Sequence, residues 1–340
     1  MTTVVPTVDL TDGRAGVALD AALRATGFVQ LVGHGLDPTA ADRLRAMCDR
    51  FFALDEETKA SFVHPSPLAN RGHRRKGAEA LSYSLGEASP PDLFESFNCG
   101  ADDRVDGSPL FERTPWPDDA VAGFSEAAHA YLAEMERISG ELDTMLGEQI
   151  GWELAAQSQA GPDTMACIDY RPGPDGTEPV LDGQQRMGAH SDYTSFTLLL
   201  ADPVPGLQIV GANGAWVDVV PEPGALLMNV GDVLAMATND LWPSTLHRVV
   251  PMARGAAATR RSVAYFHYPD PDVVVAPLPW AVEERSGERR YGEVTVADHL
   301  AGKLAAPKTA TLATGASTAA GRIGGGPDQP ENSNQRPATE

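Results

Sequence analysis

Met187-Gly188-Ala189-His190-Ser191-Asp192-Tyr193, followed later by Thr245-Leu246-His247-Arg248-Val249 and Thr259-Arg260-Arg261-Ser262-Val263, decides how this chain is read. His190 and Asp192 are two residues apart, so on an extended strand both side chains leave the same face. His247 follows 57 residues after His190 in another strand-like run. Two neutral imidazoles and one carboxylate form the ligand set expected for non-haem Fe(II) with open coordination positions. The same donors suit Zn(II), but a structural zinc site closes with four ligands and this set offers three. Arg260 and Ser262 also share a strand face, and a guanidinium beside a hydroxyl is suited to grip a carboxylate. Arg261 points the other way, as a surface charge.

Working outward, the text after Trp152 consists of short β-like runs separated by turns. They are Met165 to Tyr170, Ser195 to Leu200, Leu207 to Val210, Ala215 to Val219, Ala225 to Asn229, Val233 to Ala237, His247 to Met252 and Ser262 to Tyr268. Asn213-Gly214 marks a hairpin between two of them. Many short strands at this spacing favour a sandwich, barrel or jelly roll over a parallel α/β sheet. Upstream, Val4 to Leu10 and Phe28 to Val32 read as strands, Ala15 to Thr26 as a helix stopped by Gly27, and Asp37-Pro38 as the start of another. Apolar residues stepping by three or four from Pro117 to Ile150 predict one long amphipathic helix, with His129 on it as a packing residue. Pro65 to Gly100 is irregular and carries a basic knot at Arg71, Arg74, Arg75 and Lys76, which reads as a substrate-facing loop. Arg71 is the candidate there for holding a substrate carboxylate or phosphate, with Asp92 or Glu95 as the internal partner if its role is structural.

These motifs together resemble the Fe(II)/2-oxoglutarate-dependent dioxygenases, in the branch that includes isopenicillin N synthase. The resemblance rests on His190-x-Asp192, His247 and Arg260-x-Ser262. It extends through Pro6 to Leu10, Thr26 to Gly35, Phe51 to Leu54, Gly206-Leu207-Gln208, Asn229 to Asp232 and Ser244 to Val249, and so covers the chain to about residue 303. It implies an α+β chain with a double-stranded β-helix (jelly-roll) core, an N-terminal α/β segment and supporting helices. Residues 1–116 would be that segment with the substrate-side loop region, 117–303 the long helix and core, integrated with it as one globular unit, and 304–340 a disordered tail. It also implies Fe(II) on His190, Asp192 and His247, 2-oxoglutarate as cosubstrate anchored by Arg260 and Ser262, O2 as oxidant, and hydroxylation of a small molecule with release of succinate and CO2. Two other readings stand beside this one. An oxidase like isopenicillin N synthase would bind its substrate's own carboxylate at Arg-x-Ser and consume no keto acid, and a degenerate scaffold would be a metal-free binding protein. The family often carries Asn-x-Tyr-Pro where this chain has Asp169-Tyr170-Arg171-Pro172, leaving open whether Arg171 joins the acid pocket or the segment serves the substrate.

A formal net charge of −21 over 340 residues argues against nucleic acid and anionic membrane as partners, since both need a basic surface. The apolar runs are too short to span a bilayer. Met1 to Pro6 lacks the features of a signal peptide. Three cysteines, at 48, 99 and 167, fit a reduced, cytoplasmic protein in which each packs as a small hydrophobe. Of the other histidines, His34, His64, His73, His267 and His299 have no partner in register for a second metal site. His34 is expected to make a structural hydrogen bond, and His267 to lie on the opposite strand face from Arg260.

Overall fold

In the computed structural model, residues 5–303 are described, apart from 67, 86–88, 101, 103, 107, 172–180 and 252–259. The tail expected to be disordered, 304–340, lies outside them. The N-terminal part runs β1 (Thr7–Asp9), α1 (Ala15–Thr26), β2 (Phe28–Val32), α2 (Pro38–Phe52), α3 (Glu56–Ala60), β3 (Gly72–Arg74) and β4 (Glu95–Gly100). Then come α4 (Phe124–Ile150), β5 (Thr164–Asp169), β6 (Met187–His190), β7 (Phe196–Ala201), β8 (Leu207–Val210), β9 (Trp216–Asp218) and β10 (Leu226–Val230). The chain continues through α5 (Asp232–Ala237), β11 (His247–Val249), β12 (Arg261–His267), β13 (Val274–Val275), α6 (Pro279–Glu284) and β14 (Val294–Thr295).

Helix boundaries follow local chemistry. Asp37 caps α2 by accepting the Thr39 amide at 2.8 Å, and Pro38 takes the first turn, where its missing N–H costs nothing. Gly27 ends α1 at φ 67°, and a Cβ there would lie 2.2 Å from the Pro243 carbonyl oxygen. The long helix starts at Phe124, later than Pro117, because residues 118–122 form turns that bring Val121 and Phe124 into the core.

Eight strands form one sheet in the order β1-β2-β10-β7-β12-β5-β4-β3, and β6-β11-β8-β9 form a second. Apart from the parallel β1–β2 pair, the pairings are antiparallel. The N-terminal part supplies strands to the same sheet as the C-terminal part, through β2 beside β10 and β4 beside β5. Strand alternation divides the core. On β12, Val263 and Tyr265 pack with α1, α2 and α4, whereas Ala264 and Phe266 face the second sheet. Burying roughly twenty large side chains on the helical side is the main source of rigidity, at about 1.5–3 kcal/mol each.

Two expectations are corrected. Val233 to Ala237 is helix α5, not a strand, because an unbroken apolar run carries no period of two, and Gly231 opens a turn that Asp232 begins. Within the supposed loop Pro65 to Gly100, β3 and β4 extend the main sheet. Among the described residues no helix is long and apolar enough to cross a membrane.

Candidate metal centre and adjoining cavity

Strand pairing assembles the ligands. His247 on β11 lies directly opposite His190 on β6, with ring centroids 4.3 Å apart. β6 ends at His190, so Asp192 stands just beyond the strand. Its Oδ1 is nevertheless 3.7 Å from Nε2 of both histidines. All three side chains are largely buried, at 8, 6 and 9 % exposure for His190, Asp192 and His247. Among the described residues, this is the one cluster of three such side chains whose ligand atoms converge within 4.8 Å.

Protonation favours a cation at the convergence point. His190 Nδ1 meets the Gly188 carbonyl oxygen at 2.8 Å and His247 Nδ1 meets that of Thr245 at 3.2 Å. A carbonyl only accepts, so these contacts put the proton on Nδ1 and leave the Nε2 lone pairs free. Burial, reinforced by neighbouring His247, pushes the His190 pKa down to about 4, so the ring is a neutral donor. Burial acts to raise the Asp192 pKa, but both histidines and two hydrogen bonds outweigh it and hold the carboxyl below its usual range. Those bonds come from Thr197 Oγ1 at 2.6 Å and Asn229 Nδ2 at 2.7 Å, both to Oδ2. They occupy one carboxylate oxygen and turn the other toward the histidines. Gly231 lets β10 run into α5 against Thr194, whose carbonyl oxygen would lie 2.2 Å from any Cβ there. The Asp232 amide then donates to the Asp192 carbonyl oxygen at 2.8 Å.

The centre opens into a cavity of about 170 Å³ between the two sheets. Arg260 and Ser262 both line it. Arg260 is 1 % exposed, its guanidinium lies 4.7 Å from the Tyr170 ring, and its Nε and Nη1 have no hydrogen-bond partner among the described residues. A buried cation with unspent donors is costly unless an anion completes it. The residues therefore fit both a divalent metal and a carboxylate-bearing cosubstrate.

Other expectations resolve as follows. Arg171 turns outward to Asp169 at 2.5 Å and Asp49 at 3.6 Å, so it is Tyr170 that reaches the cavity. Arg261 pairs with Asp202 and Asp49 on the outer face, as its alternation requires. Arg71 is absent from the cavity wall and donates to the Asn70 carbonyl, Thr164 Oγ1 and the Leu110 carbonyl at 2.9, 2.7 and 3.4 Å. Neither Asp92 nor Glu95 is its partner. Asp92 accepts the Leu81 and Gly188 amides, and Glu95 pairs with Lys59 and His73. Arg74, three residues on, lines the cavity instead. His34 bonds the Gly224 carbonyl and the Leu36 amide, and the three cysteines are free and buried. Thr197, Asn229 and Asn98 were not singled out from the sequence, and Arg74 was named only as one of the basic knot behind Arg71. Asn229 sits in a signature run, but its partner Asp192 is 37 residues away, which no local spacing reveals.

Comparison with known proteins agrees with this geometry. The profile of the 2OG-Fe(II) oxygenase superfamily matches residues 162–269, and that of the non-haem dioxygenase N-terminal region named for morphine synthesis matches 5–119. The validamycin A dioxygenase of Streptomyces hygroscopicus subsp. limoneus is 31% identical over 297 residues, covering 82% of this chain and 80% of the relative. A homoarginine-6-hydroxylase of Glycine max is 29% identical over 299 residues, covering 84% and 87%. The crystal structure of full-length Neurospora crassa T7H with alpha-KG superposes with a TM-score of 0.75 at 26% identity, covering 89% of this chain and 96% of that one. The chain belongs to the 2OG-Fe(II) oxygenase superfamily. It is a 2-oxoglutarate-dependent, non-haem Fe(II) oxygenase with a jelly-roll core, using Fe(II), 2-oxoglutarate and O2.

Proposed function

We propose that this oxygenase hydroxylates a small-molecule metabolite in the cavity between the sheets. In this reading His190, Asp192 and His247 hold Fe(II), and Arg260 with Ser262 holds the distal carboxylate of 2-oxoglutarate. The observation that carries it is the buried guanidinium of Arg260, with two unspent nitrogens, lining the same cavity as the three converging ligand atoms. When bound, iron and 2-oxoglutarate supply the oxidising chemistry, consuming O2 and releasing succinate and CO2.

The protein's part is placement and exclusion. His190 and His247 offer their Nε2 lone pairs, and Asp192 supplies the single negative charge. Thr197 and Asn229 fix the carboxylate's rotation, so the ligand atoms are organised before any metal arrives. Arg260 and Ser262 select a carboxylate over a neutral group by charge-assisted hydrogen bonds. Phe28, Leu199, Leu207 and Val249 shed water from the walls around the centre. Relatives named for thymine, homoarginine and validamycin A complexes or reactions support a small-molecule substrate. Three free thiols fit a reducing, cytoplasmic setting.

A screen of candidate metabolites for substrate-stimulated O2 uptake tests the reading. Uptake should require 2-oxoglutarate and release one succinate per O2. Uptake without keto acid, and with no succinate, would establish an oxidase and overturn it.

A further inference from the structure

Among the described residues, six charged or metal-ligating side chains line the cavity: Arg74, Glu79, His190, Asp192, His247 and Arg260. Resting on the oxygenase reading above, a divalent iron with Asp192 leaves one positive charge, and dianionic 2-oxoglutarate with Arg260 leaves one negative charge. These cancel. The remaining pair, Arg74 and Glu79, are in direct contact through Nη1 and Oε1. Among the described residues, the loaded cavity therefore holds no surplus cation for an anionic substrate.

The cavity wall is not featureless where that pair stands. Alternation on β4 sends Phe97 and Cys99 into the helical core and leaves Ser96 and Asn98 on the cavity side. By register, Arg74, Ser96, Ile168 and Ser262 form one row across β3, β4, β5 and β12. Ser96 thus lies two strands from Ser262, roughly 10 Å away. Asn70 Oδ1 accepts from Arg74 Nη2 at 2.9 Å and from Asn98 Nδ2 at 2.8 Å. Since Arg74 can only donate, both amide orientations are fixed, and Asn98 presents Oδ1 as its remaining atom. That oxygen is buried without a partner among the described residues, in a side chain only 6 % exposed. Arg74 Nε is likewise buried and has no partner among the described residues. One unspent acceptor and one unspent donor thus sit on neighbouring side chains joined through Asn70.

We infer that Asn98 and Arg74, braced by Asn70 and Glu79, are the specificity-determining residues for the substrate. They select a neutral molecule with an amide-type edge, an N–H beside a C=O. The N–H would donate to Asn98 Oδ1 and the C=O would accept from Arg74 Nε. A carboxylate offers no N–H, and places a charge against an acceptor while the nearby cation is already neutralised. An amine satisfies the acceptor but leaves the arginine donor unmet. Each mismatch leaves a buried polar atom unpaired, which is the costly outcome.

Calorimetric titration of the anaerobic Fe(II) protein separates this inference from the reading beneath it. 2-Oxoglutarate is added first, and its failure to bind would overturn the oxygenase reading itself. Into the resulting complex go three probes of similar size: δ-valerolactam, its N-methyl derivative and valerate. The lactam should bind about tenfold more tightly than either of the others, one hydrogen bond's worth of discrimination. Asn98→Ala should erase the difference between lactam and N-methyl lactam. Glu79→Gln, which frees the Arg74 charge, should shift preference toward valerate, a gain that misfolding cannot mimic. Equal binding of the lactam and its N-methyl form, valerate binding at least as tightly in the unaltered protein, or no lactam binding while 2-oxoglutarate binds, would each overturn the inference.

Discussion

Two clusters in this molecule are built from the same residue types and do opposite things. At the candidate metal centre, two histidines turn their Nε2 atoms toward Asp192 Oδ1 and keep those lone pairs unspent. On the other side of the main sheet, His267 spends both ring nitrogens, Nδ1 on Asp163 and Nε2 on Asp143, each at 2.8 Å. Burial acts to lower the His267 pKa, but the two carboxylates outweigh it and raise it to about 10. Asp163 also accepts from the Tyr265 hydroxyl and the Tyr268 amide. One cluster thus keeps a gap between its ligand atoms, and the other is a filled ion pair tying α4 to β12. A histidine therefore serves as ligand or strut according to where its second nitrogen is aimed.

The comparison breaks most visibly if the strut is removed. His267→Phe leaves two carboxylates near one another without their cation and should cost about 3–5 kcal/mol of folding stability, read by denaturant unfolding. Arg260→Lys should raise the KM for 2-oxoglutarate about 10- to 150-fold while iron content persists, since lysine keeps the charge but loses the planar fork. Steady-state kinetics with metal analysis would show it. Asn229→Ala removes one of the two hydrogen bonds to Asp192 Oδ2 and should weaken iron about 10- to 100-fold, measured by competition with a chelator.

The smallest effect is a pH slope. Folded His267 holds its proton up to about pH 10, whereas the unperturbed value is 6.5. Between these values the folded state binds more protons than the unfolded one, so this contribution is full below about 6.5 and declines as pH rises toward 10. Denaturation of the metal-free protein across that window should show the decline, and His267→Phe should flatten it.

How much of this was legible in the sequence depends on whether the information is local. His190, Asp192, Arg260 and Ser262 announce themselves because each pair is local in sequence and stays together on folding, even though Asp192 stands just past β6 and Arg260 just before β12. The strand β4 was missed although Ser96-Phe97-Asn98-Cys99 alternates polar and apolar, because the run is short and follows a stretch rich in Ser, Pro and Gly. Arg71 and Arg74 could not be told apart, since which one reaches the cavity depends on β3 pairing with β4 and on the Thr164 hydroxyl, 93 residues away. The same holds for Thr197, Asn229 and the Asp143–His267–Asp163 strut, all assembled by tertiary contact.

Metal stoichiometry compares the two clusters most directly. Iron analysis after anaerobic loading and desalting should give one Fe(II) per chain in the unaltered protein and in the folded fraction of His267→Phe, and none in His247→Ala. Stoichiometric iron in His247→Ala, or its loss from folded His267→Phe, would contradict the assignment of ligand and strut.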